Sequence, residues 1–366
     1  MLIRFEMTAH ISITALDHAK PVDRSVFLEQ IVGLFVSPSI QSTQELETIA
    51  GAIIKLLREV SGDAAARAAQ TLVLMRRLDE GMIAAFLRRH DHSTRIVLSE
   101  ASWLPRTALL GATTGIRREE AAAITARSDL DTLIMHFLLN RKDQCIDLLL
   151  AENHALSMPS EIIGRLMIRA MVDGPLARSL LERPDLSVAQ RGCLLPMADL
   201  KTALQIIGKV DQITDISVPK SPANDDPQHN FHATSRIKSG SLRDFYSECA
   251  TIYRVSLGHI ERLLSDNRGA GLALLLASLG LSANEITRTL KYHFDFESKI
   301  FSSDQFLKHI IDSINPESAQ WIVRKIFSIA LDENNKPTSI EEMIVKDSIE
   351  GKKSDAYSYA KQLRIA

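Results

Sequence analysis

From Asp23 onward, apolar residues recur at spacings of three and four, the period of one face of an α-helix. Val26, Phe27, Val32, Leu34 and Phe35 mark a first short helix. Leu46, Ile49, Ala50, Ile53, Leu57 and Val60 mark the next. Ser42-Thr43-Gln44-Glu45 before it has the form of a capping box, in which Ser42 bonds the amide three residues on and Glu45 reaches back. Ser61-Gly62-Asp63 ends that helix, and Asp63 is the predicted N-cap of the Ala-rich run to Arg77. Segments of about ten residues follow, separated by caps and breakers. Helices are predicted near Glu80–Arg89, Thr94–Ala101, Pro105–Ala112, Arg117–Ala126, Leu130–Leu139, Asp143–Glu152, Ser160–Val172, Pro175–Glu182, Val188–Met197 and Leu200–Val210. Pro105, Pro159 and Pro175 stand where a first turn would begin, which suits a fixed φ and a missing amide hydrogen. No alternating β-branched run flanked by turn pairs interrupts this half.

Helices this short cannot bury their faces alone, so a continuous series of them predicts stacked pairs. One echo supports a repeat: Arg127-Ser-Asp129-Leu130-Asp131 returns as Arg183-Pro-Asp185-Leu186-Ser187, each time just before a helix. Asp211–Ser239 breaks the series with Pro219, Pro222, Pro227, Asn224, Asp225, Asp226 and Asn230, and reads as an exposed linker. Beyond it the pattern is helical again: one long amphipathic helix over Ser241–Ser265, then Gly271–Leu279, Asn284–Phe294 capped by Ser282, Asp304–Ile314, Pro316–Leu331 and Ile340–Ile349, with Asp355–Ile365 as a last segment. The expected fold is all-α, a HEAT-like array of short helix pairs followed by a C-terminal helical bundle. Its expected divisions are an N-terminal extension 1–22, the array 23–210, the polar linker 211–240 and a C-terminal domain 241–366.

Composition sharpens that boundary. Of the 19 aromatic residues, 12 follow the linker, including all five tyrosines, so an Ala/Leu/Arg-rich array precedes it and a Tyr/Phe-rich bundle follows. With 45% hydrophobic and 24% charged residues the 366-residue chain can bury a core, which excludes disorder as its main state. Lys and Arg number 43 and Asp and Glu 45, and successive thirds carry net charges of 0, -1 and -1. A strongly basic module is therefore absent, which argues against a nucleic-acid partner. Cys145, Cys193 and Cys249 lie far apart in apolar helical surroundings and read as buried thiols of a reducing compartment. The start shows no apolar run of signal-peptide length, and the longest apolar stretch, near Gly271–Leu281, is too short to span a bilayer. The expected location is the cytoplasm, with Met7 as an alternative start because Met1–Glu6 belongs to no recognisable element.

Two passages carry a family likeness. One is Ala151-Glu152-Asn153-His154-Ala155-Leu156-Ser157, continuing through Gly164-Arg165-Leu166 to Leu181-Glu182-Arg183-Pro184-Asp185-Leu186. The other is His259-Ile260-Glu261-Arg262-Leu263-Leu264-Ser265-Asp266, then Gly269-Ala270-Gly271-Leu272-Ala273-Leu274 and Leu279-Gly280-Leu281. In order and spacing, from about Asp23 to about Phe294, the chain resembles the alphaproteobacterial domain-of-unknown-function family 2336. The resemblance implies an all-helical, HEAT-like architecture and carries no catalytic residues. The polar linker and the Lys-rich end beyond Lys325 depart from the family pattern.

Candidate chemistry is sparse. Gly269-Ala-Gly271 lacks the third glycine and the preceding strand of a dinucleotide loop, and reads as a helix end with a tight turn. His90-Asp91-His92 could offer metal ligands, but neighbours in a turn rarely converge on one ion, so Asp91 or Ser93 reads as a cap between helices. His229-x-x-His232 lies in the linker. A phosphotransfer histidine would need an exposed helical position: His136 sits among Ile134, Met135, Phe137 and Leu138 and reads as buried, His259 as exposed. Arg76-Arg77, Arg88-Arg89 and Arg117-Arg118 recur near helix ends, where cations offset the helix dipole. Alternatively Arg76, Arg77, Arg88, Arg89, Arg117 and Arg118 form one basic ridge that binds a partner. G-x-S-x-G, C-x-x-C and H-E-x-x-H are missing. No cofactor is expected. The sequence predicts a non-enzymatic scaffold for an unknown protein partner, with a nucleic-acid-binding array or a signalling adaptor as rivals.

Overall fold

The computed structural model describes residues 21–37, 42–114, 117–217, 242–264, 268–293 and 305–332. Among these residues every regular element is helical, and the described chain divides into two compact units, one up to Leu156 and one from Ser157.

The first unit holds α1 (Pro21–Val36), α2 (Thr43–Leu57), α3 (Gly62–Leu74), α4 (Glu80–Leu87), α5 (His92–Glu100), α6 (Arg106–Thr114), α7 (Arg118–Thr125), α8 (Thr132–Asn140) and α9 (Gln144–Glu152). Acidic and hydroxyl residues start most of them. Ser61 accepts from the Ala64 amide at 3.3 Å, Asp79 from Met82 at 2.7 Å, and Asp131 from Ile134 at 2.8 Å. Ser61 therefore replaces Asp63 as the cap of α3, with Asp63 inside the first turn. Ser42 is the N-cap of α2, yet its side chain makes no cap bond, so the predicted box with Glu45 is not closed.

These helices pack in two rows. In one row α2 touches α4, α4 touches α6 and α6 touches α8; in the other, α1, α3, α5, α7 and α9 follow one another. This is the stacked-pair, HEAT-like arrangement. Alternating helices reverse direction, so each pair closes its apolar faces against the next. Leu56 and Leu57 of α2, Ala64, Ala65 and Ala69 of α3 and Val97 and Leu98 of α5 are fully buried. Burying each Leu contributes about 1.5–3 kcal/mol.

The second unit holds α10 (Ser160–Ala170), α11 (Gly174–Glu182), α12 (Val188–Cys193), a 3-10 turn (Leu195–Met197), α13 (Leu200–Ser217), α14 (Leu242–Tyr253), α15 (Leu257–Leu263), α16 (Ala270–Ser278), α17 (Ala283–His293), α18 (Gln305–Ser313) and α19 (Pro316–Asp332). Every residue of α16 is buried, as its unbroken run of Ala, Gly and Leu requires. It packs against α17, α18 and α19, and α19 in turn against α10, α12, α13 and α15.

That packing departs from the division expected at 211–240. Helices on both sides of it share one core, and Gly192 sits against Trp321, where an added Cβ would lie 3.5 Å from the ring. The composition shift marks a change of packing residues within a unit. Residues 211–217 also continue α13. Asp211 is fixed there, accepting from Asn315 Nδ2 at 2.8 Å and Ser318 Oγ at 2.5 Å. The single helix expected over Ser241–Ser265 is two. Arg254 takes a left-handed φ of 55°, and Arg254 and Val255 donate to the carbonyls of Thr251 and Ala250, which closes α14 before Ser256 starts α15. The remainder of the linker, His229 and His232, and the segments Ile340–Ile349 and Asp355–Ile365 lie outside the described residues.

Candidate functional site

Helix reversal sorts the turns of the first unit onto two edges. The α2–α3, α4–α5, α6–α7 and α8–α9 turns share one; the α3–α4, α5–α6 and α7–α8 turns share the other. Bonds between turns show this directly. On the first edge Arg89 donates to the carbonyls of Leu57 and, at 3.2 Å, Val60. Arg117 donates to the His90 carbonyl, and Arg118 Nε pairs with Asp143 at 2.9 Å. On the second edge Arg127 Nη1 donates to the Ala101 carbonyl at 2.8 Å, and Arg106 pairs with Asp131 at 2.7 Å. Asn153 Nδ2 donates to the carbonyls of Thr125 and Arg127, both at 2.8 Å. The last carbonyls of a helix have no intrahelical partner. Side chains from the next pair satisfy them, and a cation there also offsets the helix dipole.

The six candidate arginines do not form one ridge. Arg88, Arg89, Arg117 and Arg118 lie on the first edge; Arg76 and Arg77 lie on the second. The reason is parity: Arg76-Arg77 follows α3, Arg88-Arg89 follows α4, and one helix reverses the chain. Arg76 has a left-handed φ of 53°, and Arg76 and Arg77 donate to the carbonyls of Val73 and Leu72, a Schellman ending of α3. Both side chains are exposed beside Leu74 and Met75, which are 80% and 50% exposed.

Arg89 is half-buried and serves structure as well. Its Nε pairs with Asp91 Oδ2 at 2.9 Å. Asp91 caps α5 through the Ser93 amide at 2.9 Å. Burial pushes the Asp91 carboxyl up, but the bonds from Ser93 and the guanidinium of Arg89 outweigh it and hold the group below its ordinary value. The same Arg-x-Asp clamp recurs at Arg127–Asp129 and Arg183–Asp185, where both carboxylate oxygens are gripped. The third copy, Arg89-His90-Asp91, differs locally: Asp91 is itself the N-cap, whereas Asp129 and Asp185 are followed by Leu and then by the caps Asp131 and Ser187.

The remaining candidates separate. His90 Nδ1 contacts Glu120 Oε1 at 2.8 Å, while the His92 ring faces Arg95 at 3.4 Å, so the two imidazoles diverge. Among the described residues no three His, Cys, Asp or Glu side chains are placed to hold a metal ion. His136 is buried. His259, expected to be exposed, is only 9% exposed. The break at Arg254 makes it the third residue of α15, where its Nδ1 lies 2.8 Å from Ser256 Oγ and closes a capping box. Gly269 takes a left-handed φ of 74° at the start of α16, entered from a turn rather than a strand.

In the second unit Met171, Cys193, Pro196, Met197, Arg262, Leu263 and Ile326 line a cavity of about 20 Å³, room for one water and not for a metabolite. No helix among the described residues is long and apolar enough to cross a membrane. What the first unit offers is a pair of polar edges on a stack of helix pairs, where Arg89, Arg106, Arg117, Arg118 and Arg127 tie one turn to the next. No protein family, curated protein or solved structure matches the chain.

Proposed function

We propose that this protein is a non-enzymatic helical-repeat scaffold of the cytoplasm that binds another protein, and that it belongs with the domain-of-unknown-function family 2336. The observation that carries this reading is the two-row array of α1 to α9. Stacked pairs of this kind present an extended surface to which each pair adds a strip, suited to a partner with length. The polar side chains of the first unit support it too. Arg89, Arg127 and Asn153 are directed at carbonyls, so they hold the array rather than aim at a shared reacting point. Affinity purification of the tagged full chain from its own cytosol, read by quantitative mass spectrometry, tests the reading. A reproducible protein partner is expected; none across replicates would count decisively against it.

A further inference from the structure

Along the first edge, each of four successive turns carries an exposed cation that meets no carboxylate among the described residues: Arg58, Arg88, Arg117 and Lys142. The cations beside them are matched, Arg89 by Asp91 and Arg118 by Asp143. Glu59 is matched by Arg24 at 2.6 Å. The carboxylates left over, Asp63 and Glu119, lie in the first turns of α3 and α7, where they face the positive end of their own helix. Against these two carboxylates the edge sets a row of four such cations, one per helix pair, so among the described residues it keeps an excess of positive charge.

The spacing of that row selects a partner. Helices packed side by side lie about 8–10 Å apart. α2, α4, α6 and α8 are such neighbours, so the cations repeat at about that interval. A polyproline II segment rises about 3.1 Å per residue with three residues per turn, which places every third side chain on one face about 9 Å apart. We propose that this edge docks an extended, acidic segment of a partner protein with Asp or Glu at every third residue; the proposal rests on the protein-binding reading above. A nucleic acid fits less well. Its backbone carries charge far more densely, about one phosphate per 3.4 Å along each strand. That density would set surplus phosphates against Asp63 and Glu119. No Phe, Tyr or Trp stands at these turns to stack a base.

Fluorescence anisotropy on the full chain tests this at low salt, with a labelled synthetic Glu-Pro-Ala repeat peptide and a single-stranded RNA of equal net charge as probes. The expected result is binding of the peptide that weakens about tenfold or more when Arg58→Gln, Arg88→Gln, Arg117→Gln and Lys142→Gln are combined. Arg76→Gln with Arg77→Gln, on the opposite edge, should change it less than about twofold, and rising salt should abolish it. Should the combined variant melt early, Arg88→Glu alone serves, since its exposed side chain bonds nothing among the described residues; weaker peptide binding is again expected. Equal binding by wild type and variant, or none by wild type, overturns the proposal. So does tighter binding of the RNA than of the peptide. Affinity purification with the combined variant separates the two readings. A partner kept by the variant sinks the edge alone, whereas no partner with wild type sinks the scaffold.

Discussion

Arg127 grips Asp129, two residues ahead, through two parallel bonds: Nε to Oδ1 at 2.7 Å and Nη2 to Oδ2 at 2.6 Å. Its remaining nitrogen, Nη1, donates to the Ala101 carbonyl at the end of α5. Asp129 thereby fixes the plane of a guanidinium whose third arm ties one helix pair to the next. Arg183 and Asp185 repeat the grip in the second unit at 2.9 and 2.7 Å.

The clamp should be specific to arginine. Arg127 is 5% exposed, so Arg127→Ala leaves the Leu98 and Ala101 carbonyls short of a donor and is expected to cost about 2–4 kcal/mol. Arg127→Lys should recover little of this, because an ammonium cannot span both carboxylate oxygens and a carbonyl. Asp129 is half-exposed, and Asp129→Asn should cost about 1 kcal/mol or less. Urea unfolding of the three variants checks the order; a full rescue by Lys would contradict it.

Asn153 makes a sharper case, since its bonds to the Thr125 and Arg127 carbonyls use the same amide nitrogen. Asn153→Ala removes two hydrogen bonds to the end of α7, a loss of about 1–2 kcal/mol. Asn153→Asp keeps the shape but sets a carboxylate against two carbonyl oxygens. It should therefore be the more destabilising of the two at neutral pH, and should regain stability on acidification as the carboxyl becomes a donor. Thermal melts at two pH values distinguish these outcomes.

Much of the architecture could be read from spacing alone. The period of three to four placed helices within a few residues of their ends, and the Asp131 and Ser187 of the repeated motif stood at helix starts. What spacing could not show is direction. That Arg76 and Arg88 face opposite edges depends on counting helix reversals, and a ridge drawn through both ignored that count. The break at Arg254 was hidden because its αL conformation uses Arg where Gly is the usual signal. The share of helix α13 beyond Val210 was hidden because Asp211 looks like a linker residue until Asn315 and Ser318 come beside it. Contacts between residues a hundred positions apart leave no local pattern.

Acid should loosen the first unit through Asp91. Its native carboxyl titrates below the ordinary value of 3.8, so the unfolded chain binds the proton more readily. The stabilisation is therefore complete above the unfolded value and is lost as pH falls through the lower native one. Asp91→Asn retains the cap, because Asn caps as well as Asp, but gives up the pairing with Arg89. It should be less stable by about 1 kcal/mol at neutral pH, and the gap to wild type should start to close only as pH falls below about 4. Melts between pH 3 and about pH 7 on both proteins check the convergence; parallel curves would disprove it.

Four helix endings, at Arg76, His90, Lys142 and Arg254, carry a left-handed φ on a non-glycine residue, and two of them make clean tests. Arg76 and Arg254 hold left-handed φ values of 53° and 55° in the role glycine fills at Gly280, where φ is 82°. A side chain in that conformation costs about 1 kcal/mol relative to glycine. Arg254→Gly and Arg76→Gly should each raise the unfolding free energy by about 0.5–1 kcal/mol. Asn at either position should fall between. A loss on Arg254→Gly would show that the guanidinium contributes more than the backbone conformation costs.

The thiols should report on the two units separately. Cys145 lies in α9 of the first unit and is half-buried, whereas Cys193 and Cys249 are buried in the second. Burial pushes the Cys193 thiol up to about 12, with Lys325 opposing, and burial together with Glu248 pushes Cys249 up as well. The thiolate is the reactive form, so at about pH 8 the native Cys193 thiol should react far more slowly than an ordinary one. In native protein Cys145 should be modified first. Cys193 and Cys249 should follow together, at the rate at which the second unit opens, and that rate should respond to denaturant. Cys145→Ser should remove the early phase alone. An early phase that survives this change would place an accessible thiol in the core of the second unit, against its packing around α16 and α19.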